Sequence, residues 1–463
     1  MVKVGICIPI YNEVPAQAFS NLITRFSEYF NSQGFQTELF VKVGQIVDKS
    51  RNDLVKQALD KGCNYIFFID SDMILPMGCI PTFLSMEVDI ASGLYFSKGE
   101  PHLPIVRDLI GDRMVFKKVI EPGKIMEVGG VGLGCCFINV DVFKKIPYPW
   151  FEFKWKEYKP EELNLKEGIK YQESEDLSFC KKAKEAGYKI FLNSNIICGH
   201  YGGVISYDDY LNQKDQIIKL QEEEDKLYNC FMKFDKISKL QVLDRLNFGH
   251  DLYMNEWNRL NPKTTEEITN FYKTSICSKY ELADWHFTGR RSFDLKIVEE
   301  LKTKYPDKDI EILDYGCGTG QNSYLLFKEG FKKLTLADVP GHNFEFAKFR
   351  FQQEKAKSIR WLPIPIHPRI DKKYDIILCF DVMEHVPDDQ FEETVNTLLS
   401  LRKPDGKIFC TASFGLQDHH PMHFNLTPEK RKSFLKRKFL LKKLKKRFRK
   451  CFLCCNLSAK AVP

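Results

Sequence analysis

Continuous apolar runs set between amphipathic stretches dominate the first half of the chain. Residues 3–10 read as a buried strand, an amphipathic helix follows to about residue 30, and residues 36–43 are a second strand. Residues 50–61 have a helical pattern and feed the run Tyr65-Ile66-Phe67-Phe68-Ile69, which is apolar throughout and therefore reads as a strand covered on both faces. This alternation predicts a βαβαβ start built on a parallel sheet. Residues 88–95 give a further strand, and residues 99–127, punctuated by Pro and Gly, a hairpin excursion. Residues 135–140 and 189–192 complete the strands, with His200 after a short loop. From residue 206 to about 288 the pattern becomes charged and helical, with an acidic solvated face at 221–226, and Trp257, Tyr272, Tyr280 and Trp285 read as packing residues. Strands then return at 311–314, 334–337, 374–380 and 407–412.

Composition bounds the architecture. A chain of 463 residues is too long for one ordinary core, so two or three domains are expected, and 43% hydrophobic with 28% charged residues is usual for a globular protein. No run reaches the roughly 18 apolar residues of a spanning helix, and the apolar start is too short for a secretory leader. The fifteen cysteines are scattered and mostly set among apolar residues, which predicts reduced core thiols and a cytoplasmic setting. Cys451-x-x-Cys454, without a second pair, is weak support for zinc. Charge is informative once located: of a net +7, thirteen Lys or Arg lie between Lys430 and Lys450 without an acid, leaving −6 on the remainder. A general nucleic-acid-binding surface is therefore not expected.

Candidate chemistry starts where the 65–69 run breaks into Asp70-Ser71-Asp72. Carboxylates at a strand end stand where open α/β sheets present ligands, and two of them can hold a divalent cation that neutralises a diphosphate. A solvated acidic turn is the alternative. The Gly129-Gly130-Val131-Gly132-Leu133-Gly134 run leads into a strand rather than opening a helix, which excludes a dinucleotide fingerprint and indicates close backbone packing near a ligand. Glu173-Ser174-Glu175-Asp176 heads a helix ending at Gly187. Its acids either complement the helix dipole or supply a general base.

These pieces together, with Pro9-Ile10-Tyr11-Asn12-Glu13 and Ser50-Arg51-Asn52-Asp53, resemble the inverting GT-A glycosyltransferases of the family 2 type over about residues 1–203. The resemblance implies that Pro9, Tyr11 and Glu13 line the nucleotide pocket of a nucleotide-sugar donor, with Arg51 and Asn52 nearby. It further implies that Asp70 and Asp72 serve the donor diphosphate and a divalent cation (Mn or Mg), with His200 a further metal ligand. Asp176 would deprotonate the acceptor hydroxyl and Glu175 would support it. No Q-x-x-R-W stretch follows, which argues against processive polymer synthesis. A nucleotidyltransferase is the competing enzyme class.

The later chemistry centres on Glu311-Ile312-Leu313-Asp314-Tyr315-Gly316-Cys317-Gly318-Thr319-Gly320-Gln321. A strand that ends in a glycine loop and opens a helix lets backbone approach a ligand at the helix N-terminus. A second strand ends in Asp338, where a carboxylate can accept both ribose hydroxyls, and a fourth ends in Asp381-Val382-Met383-Glu384-His385-Val386. A nicotinamide-binding domain is the alternative on the glycines alone. Residues 287–426 as a whole resemble a class I S-adenosylmethionine-dependent methyltransferase. That likeness implies Asp314, Gly316, Gly318 and Gly320 around the methionine part of S-adenosylmethionine, Asp338 on the ribose and Asp381 near the end of the fourth strand. His385, His419, His420 and His423 are candidate bases. The usual closing helix and antiparallel strand pair are not evident after Thr427, which leaves a binding-only, degenerate domain as the second reading.

The tail spaces Phe434, Leu441, Leu444, Phe448 and Phe452 helically among Lys and Arg, with Cys451, Cys454 and Cys455 close by. This is the pattern of a helix on an anionic membrane surface, on the cytosolic face. A solvated helix or a nucleic-acid-binding arm is the alternative. The expectation is thus an α/β chain of two Rossmann-like domains, a GT-A domain at 1–205 and a methyltransferase domain at 287–427. A helical linker at 206–286 joins them and a basic tail occupies 428–463. Its function would be to glycosylate a glycan or glycolipid acceptor and to methylate, plausibly, the same glycan.

Overall fold

The computed structural model describes residues 1–30, 34–99, 101–163, 165–166, 168–201, 206–288, 291–364, 372–412 and 420–424. It divides into two compact units: Met1–Tyr158 with Lys170–Lys226, and Lys159–Ile169 with Leu227–Pro463.

The first unit opens with β1 (Val2–Ile10), α1 (Ala16–Phe30), β2 (Phe35–Val43), α2 (Val47–Asp60) and β3 (Tyr65–Ile69). As the apolar runs predict, β1 lies between β2 and β3 and is parallel to both. Ile66, Phe67, Phe68 and Ile69 are all fully buried, because helices cover both faces of the strand. A Cβ on Gly5 would come within 3.1 Å of Ala58, Cys63 and Phe40, so the missing side chain lets α2 sit close on the sheet.

After β4 (Met73–Ile74), α3 (Cys79–Leu84) and β5 (Ile90–Leu94), the 99–127 excursion resolves into two parts. The hairpin proper is β6 (Val106–Ile110) with β7 (Arg113–Phe116), whereas β8 (Ile125–Val128) returns to the edge of the main sheet. Then come β9 (Gly130–Val131), β10 (Cys135–Asn139), α4 (Asp141–Lys145), β11 (Lys154–Tyr158), α5 (Pro160–Leu163), β12 (Ile169–Glu173), α6 (Glu175–Glu185), β13 (Ile190–Ile197) and β14 (Gly199–His200). The seven strands run in the order β2-β1-β3-β10-β5-β13-β8. The sheet is mixed rather than parallel, since β10 is antiparallel to both β3 and β5. His200 is not in a loop: β14 pairs with β4, opposite Met73. That two-residue ladder is too short to leave a periodic pattern in the sequence.

The glycine run before β10 is explained by crowding. A Cβ on Gly129 would lie 2.4 Å from the Leu109 backbone nitrogen, and one on Gly132 2.1 Å from the Tyr95 hydroxyl. Tyr95 is thereby buried beside the end of β3, accepting a hydrogen bond from the Gly134 amide at 3.1 Å.

The span 206–286 is helical throughout, as its pattern predicts. It comprises α7 (Tyr207–Asp235), α8 (Lys239–Asn247), α9 (Gly249–Leu260), α10 (Thr265–Thr274) and α11 (Ser278–Thr288). It does not stand apart as a linker unit. Tyr210 and Ile217 of α7 join the first unit's core, whereas Leu227 and Phe231 pack with Tyr280 and Phe346 in the second. Capping boxes at Ser238 with Gln241 and at Thr264 with Glu267 fix the starts of α8 and α10, each cap typically worth about 1 kcal/mol. Trp257 and Tyr280 are buried as expected, but Trp285 is 46% exposed and is not a packing residue.

The second unit continues with α12 (Arg291–Lys304), β15 (Ile312–Tyr315), α13 (Gln321–Lys328), β16 (Leu334–Asp338) and α14 (His342–Gln353). It closes with β17 (Arg360–Pro363), β18 (Tyr374–Phe380), α15 (Phe391–Leu401) and β19 (Arg402–Thr411). Its five strands are all parallel, ordered β17-β16-β15-β18-β19. His419 and the tail from 428 onward, with Phe434, Leu441, Leu444, Phe448, Phe452 and the three tail cysteines, lie outside the described residues. No helix among the described residues is long and apolar enough to cross a membrane. The described cysteines are free thiols and mostly buried.

Candidate functional sites

In the first unit the predicted residues gather at the carboxyl ends of β1 and β3 and at the start of α6. Pro9 is buried at the end of β1, and Tyr11 and Glu13 are exposed just beyond it. The Ser71 hydroxyl donates to the Glu13 carbonyl at 3.5 Å, which joins the two strand ends. Arg51, on α2 and 3% exposed, is the hub: it donates to Asp70 at 2.8 Å and forms an ion pair with Glu175. Desolvation would favour loss of its proton, but Asp70, Glu175 and Asp176 together raise its pKa and keep it charged. Burial raises Glu175 above the usual carboxylate range, opposed by Arg51.

Asp176 is less buried than Glu175. It accepts from the Ser174 hydroxyl at 2.5 Å and from the Leu177 amide at 2.8 Å, both on Oδ1. Of the two acids, Glu175 is committed to Arg51, whereas the bonds of Asp176 fall on Oδ1. Asn52 has a different setting from the one expected. Its amide donates to the carbonyls of Asp48 and Phe151 and accepts from the Trp150 and Phe151 amides, so it holds a loop rather than facing a nucleotide.

The metal set Asp70, Asp72 and His200 is brought together only in part. Among the described residues their ligand atoms do not form a compact group of three, and Asp70 is turned to Arg51. Asp72 and His200 do meet, with Nε2 3.3 Å from Oδ2, and the His200 Nδ1 lies 2.8 Å from the Phe96 carbonyl. A carbonyl only accepts, so Nδ1 carries the proton and Nε2 is the atom aimed at Asp72. The Lys98 ammonium lies 2.5 Å from the same carboxylate. Burial opposes ionisation of Asp72, but the neighbouring His200 and Lys98 outweigh it and hold the pKa at about 2. An ammonium thus stands against the carboxylate to which a cation would bind. Arg51 and Lys98 compensate these acids from distant parts of the chain. Arg107 was not anticipated either. Burial lowers its pKa to about 10, Asp176 partly restores it, and its guanidinium stacks on Phe116 at 3.2 Å.

The second site is the β15–α13 turn. Gly316, Gly318 and Gly320 have φ of 73°, 54° and 75°, and a Cβ on Gly316 would lie 2.3 Å from Val382. These three positions need glycine. The Asp338 carboxylate accepts from the Gly318 amide at 2.5 Å and the Val339 amide at 2.7 Å, so the acid at the end of β16 is already seated on the glycine loop. Burial raises its pKa to about 6 despite those bonds. Asp314 is 3% exposed and accepts from the Ser323 hydroxyl of α13 at 2.7 Å. It therefore ties the loop together from beneath, and burial lifts it to about 6 as well.

Asp381, at the end of β18, has φ 52° and is held by the Thr411 hydroxyl at 2.7 Å, a partner at the end of β19 that sequence alone did not suggest. His385 lies close by. Burial and the neighbouring His423 depress it to about 3, which makes it a poor proton acceptor.

Residues 285–444 match a family described as a methyltransferase domain. The ubiquinone biosynthesis O-methyltransferase of Coxiella burnetii (strain Dugway 5J108-111) is 29% identical over 152 residues, 31% of this chain and 64% of that protein. Its namesake from Rickettsia bellii (strain OSU 85-389) is 34% identical over 112 residues, 24% of this chain and 45% of that protein. The chain thus spans less than two thirds of the length of these relatives. Among solved structures, an S-adenosylmethionine-dependent methyltransferase from Clostridium acetobutylicum is 20% identical, with a TM-score of 0.25, covering 29% of this chain and 57% of that one. A197 from STIV is 17% identical, with a TM-score of 0.31, covering 45% of this chain and 92% of that one. Scores this low carry no argument. The matched stretch takes in the glycine loop and Asp338, at the carboxyl ends of adjacent strands of the second unit.

Proposed function

We propose that the chain is a two-site transferase that moves a sugar from a nucleotide-sugar donor to a glycan or glycolipid hydroxyl and methylates an oxygen of the same glycan. The observation that carries the first half is the convergence of three carboxylates, Asp70, Glu175 and Asp176, around Arg51 at the carboxyl edge of a parallel start, with Asp72 two residues beyond Asp70. In this reading Tyr11 and Glu13 border the nucleotide. Asp72 and His200 are the residues that would hold Mn or Mg, and the bound ion would supply charge neutralisation of the donor diphosphate. Asp176 takes the proton of the acceptor hydroxyl through Oδ2. The acceptor oxygen bonds the anomeric carbon as the bond to the diphosphate breaks, and a nucleoside diphosphate leaves with inversion. Arg51 pairs with Asp70 and Glu175 and fixes them beside that base.

For the second half, the methyltransferase domain supports S-adenosylmethionine as methyl donor. The glycine loop admits the ligand against backbone, Asp338 accepts from the ribose hydroxyls, and Asp381 borders the acceptor. The S–CH₃ bond breaks as the O–CH₃ bond forms, releasing S-adenosylhomocysteine and a proton. We assign the basic tail to an anionic membrane surface on the cytosolic face.

The test is a screen of nucleotide sugars with and without S-adenosylmethionine, read by product mass spectrometry. A hexose-type mass increment on an acceptor, followed by 14 Da with the cofactor, is the expected result. Release of diphosphate instead of nucleoside diphosphate would assign the first unit to nucleotidyl transfer. For the tail, full-length protein should sediment with anionic vesicles while a chain ending at Thr427 stays in solution.

A further inference from the structure

We infer that Glu384, His385 and His423 form a divalent transition-metal site in the second unit, next to the methyl-acceptor position. Among the described residues they are the group of three in which one ligand atom from each lies within 4.8 Å of the others. Donors sharing one ion at about 2.0–2.2 Å stand at most about 4.4 Å apart, so only a small closure is needed. The set is two imidazoles and a carboxylate, a combination suited to Zn²⁺, Fe²⁺ or Co²⁺ with positions left open for a substrate.

The fold builds this juxtaposition from separate stretches. The end of β18 turns through a single 3₁₀ turn, Met383–His385, closed by the His385 amide donating to the Val382 carbonyl at 2.9 Å. The segment carrying His423 is fixed to the same turn, because the Phe424 amide donates to the Glu384 carbonyl at 2.7 Å. The rings of His385 and His423 cross at 85° with centroids 4.7 Å apart, and His420 stacks on His423 at 4.8 Å. Outer partners that orient ligands are also in place: the Tyr272 hydroxyl lies 3.1 Å from His385 Nδ1, and Glu384 is only 1% exposed.

Asp381 precedes this turn by two residues, so the ion would lie beside the oxygen that receives the methyl group. A Lewis acid there lowers the pKa of a bound hydroxyl. The acceptor class is accordingly an oxygen chelator, a vicinal diol or catechol that offers two adjacent oxygens to the ion. This last step rests on methyl transfer as the second unit's reaction; the metal site itself does not.

The experiment titrates Co²⁺ into full-length protein and follows the visible d–d absorption, with thermal melting and S-adenosylmethionine binding as controls for folding. With Asp72→Ala as the background, which removes the cation ligand of the first unit, one equivalent should bind without thiolate-to-metal charge transfer. His423→Ala and His385→Ala should each weaken it by about 10–100-fold or more, as removing metal-site support does elsewhere, while Cys410→Ser leaves it unchanged. Because Glu384 is buried, Glu384→Gln is secondary to these variants. Absence of binding, a thiolate band, or a spectrum unaffected in both histidine variants overturns the site. If the metal binds as expected but diol methylation is equally fast without it, the acceptor class is wrong. If no methylation occurs with or without metal, the methyl-transfer reading is what fails.

Discussion

The guanidinium of Arg51 reaches the Asp70 carboxylate at 2.8 Å, and the two residues set the electrostatics of the first unit's site. Asp70 ends β3, Arg51 lies on α2, and the same guanidinium continues to Glu175 at the start of α6. One buried cation therefore joins three elements and lets carboxylates cluster where they would otherwise repel.

Replacing that cation should be severe. Arg51→Met leaves Glu175 in an apolar setting that already raises its pKa. Breaking a buried pair typically costs about 3–5 kcal/mol. Denaturant unfolding should register that loss in the first unit, whereas S-adenosylmethionine binding by the second should persist. An unchanged midpoint would mean that Arg51 is dispensable to packing.

On the proposed reading Asp176, the less buried member of the acid pair, carries the base role. Asp176→Asn keeps the bonds that Oδ1 accepts but removes the proton acceptor, so sugar transfer should slow by about 10²–10⁴-fold. Donor affinity should stay near its original value. Turnover at the original rate would shift the role to Glu173 or Glu175.

Asp338 predicts a pH dependence whose sign follows from its raised pKa. Ribose hydroxyls donate to the ionised carboxylate, so S-adenosylmethionine affinity should rise with pH through about 6 and level off above it. Stability of the free protein should run the other way: the folded carboxyl holds its proton between the usual 3.8 and about 6, so folding weakens as pH climbs through that window. Asp338→Ala should weaken binding by about 1.5–3 kcal/mol and leave sugar transfer intact. Calorimetry across pH 5–8 on both proteins checks the step and its loss.

Gly316 combines a left-handed backbone with a neighbour at 2.3 Å, so Gly316→Ala should abolish measurable cofactor binding. Pairing it with Val382→Ala removes the clash but not the φ of 73°, and should restore binding only in part. Full recovery in the double variant would show that backbone strain contributes little.

Much of this was legible because it is local. The buried run 65–69 and the turn from Asp314 to Gly320 each have their meaning within a few residues, and both units start as the periodicity predicts. What escaped is non-local. Nothing in the sequence joins Lys98 to Asp72, Thr411 to Asp381 or His423 to Glu384, since each pair meets only after separate strands or turns have been placed. The antiparallel β10 was missed because an apolar strand buried on both faces has the same pattern in either direction.

Lys98 gives the sharpest test of the cation at Asp72. Its ammonium is attracted by the carboxylate that would ligate the ion, so ion and lysine compete for one position. Removing the competitor should therefore tighten divalent binding, while removing the carboxylate should abolish it. Lys98→Met is expected to lower the apparent dissociation constant for Mn²⁺, followed by electron paramagnetic resonance of the free ion, and Asp72→Ala to remove this binding, leaving only Mn²⁺ uptake that depends on His385 and His423. The lysine is about half exposed, so its loss should not disturb the fold. If Lys98→Met instead weakens Mn²⁺ binding, or eliminates sugar transfer while Asp72→Ala retains it, the lysine is the working cation and no metal is needed at that carboxylate.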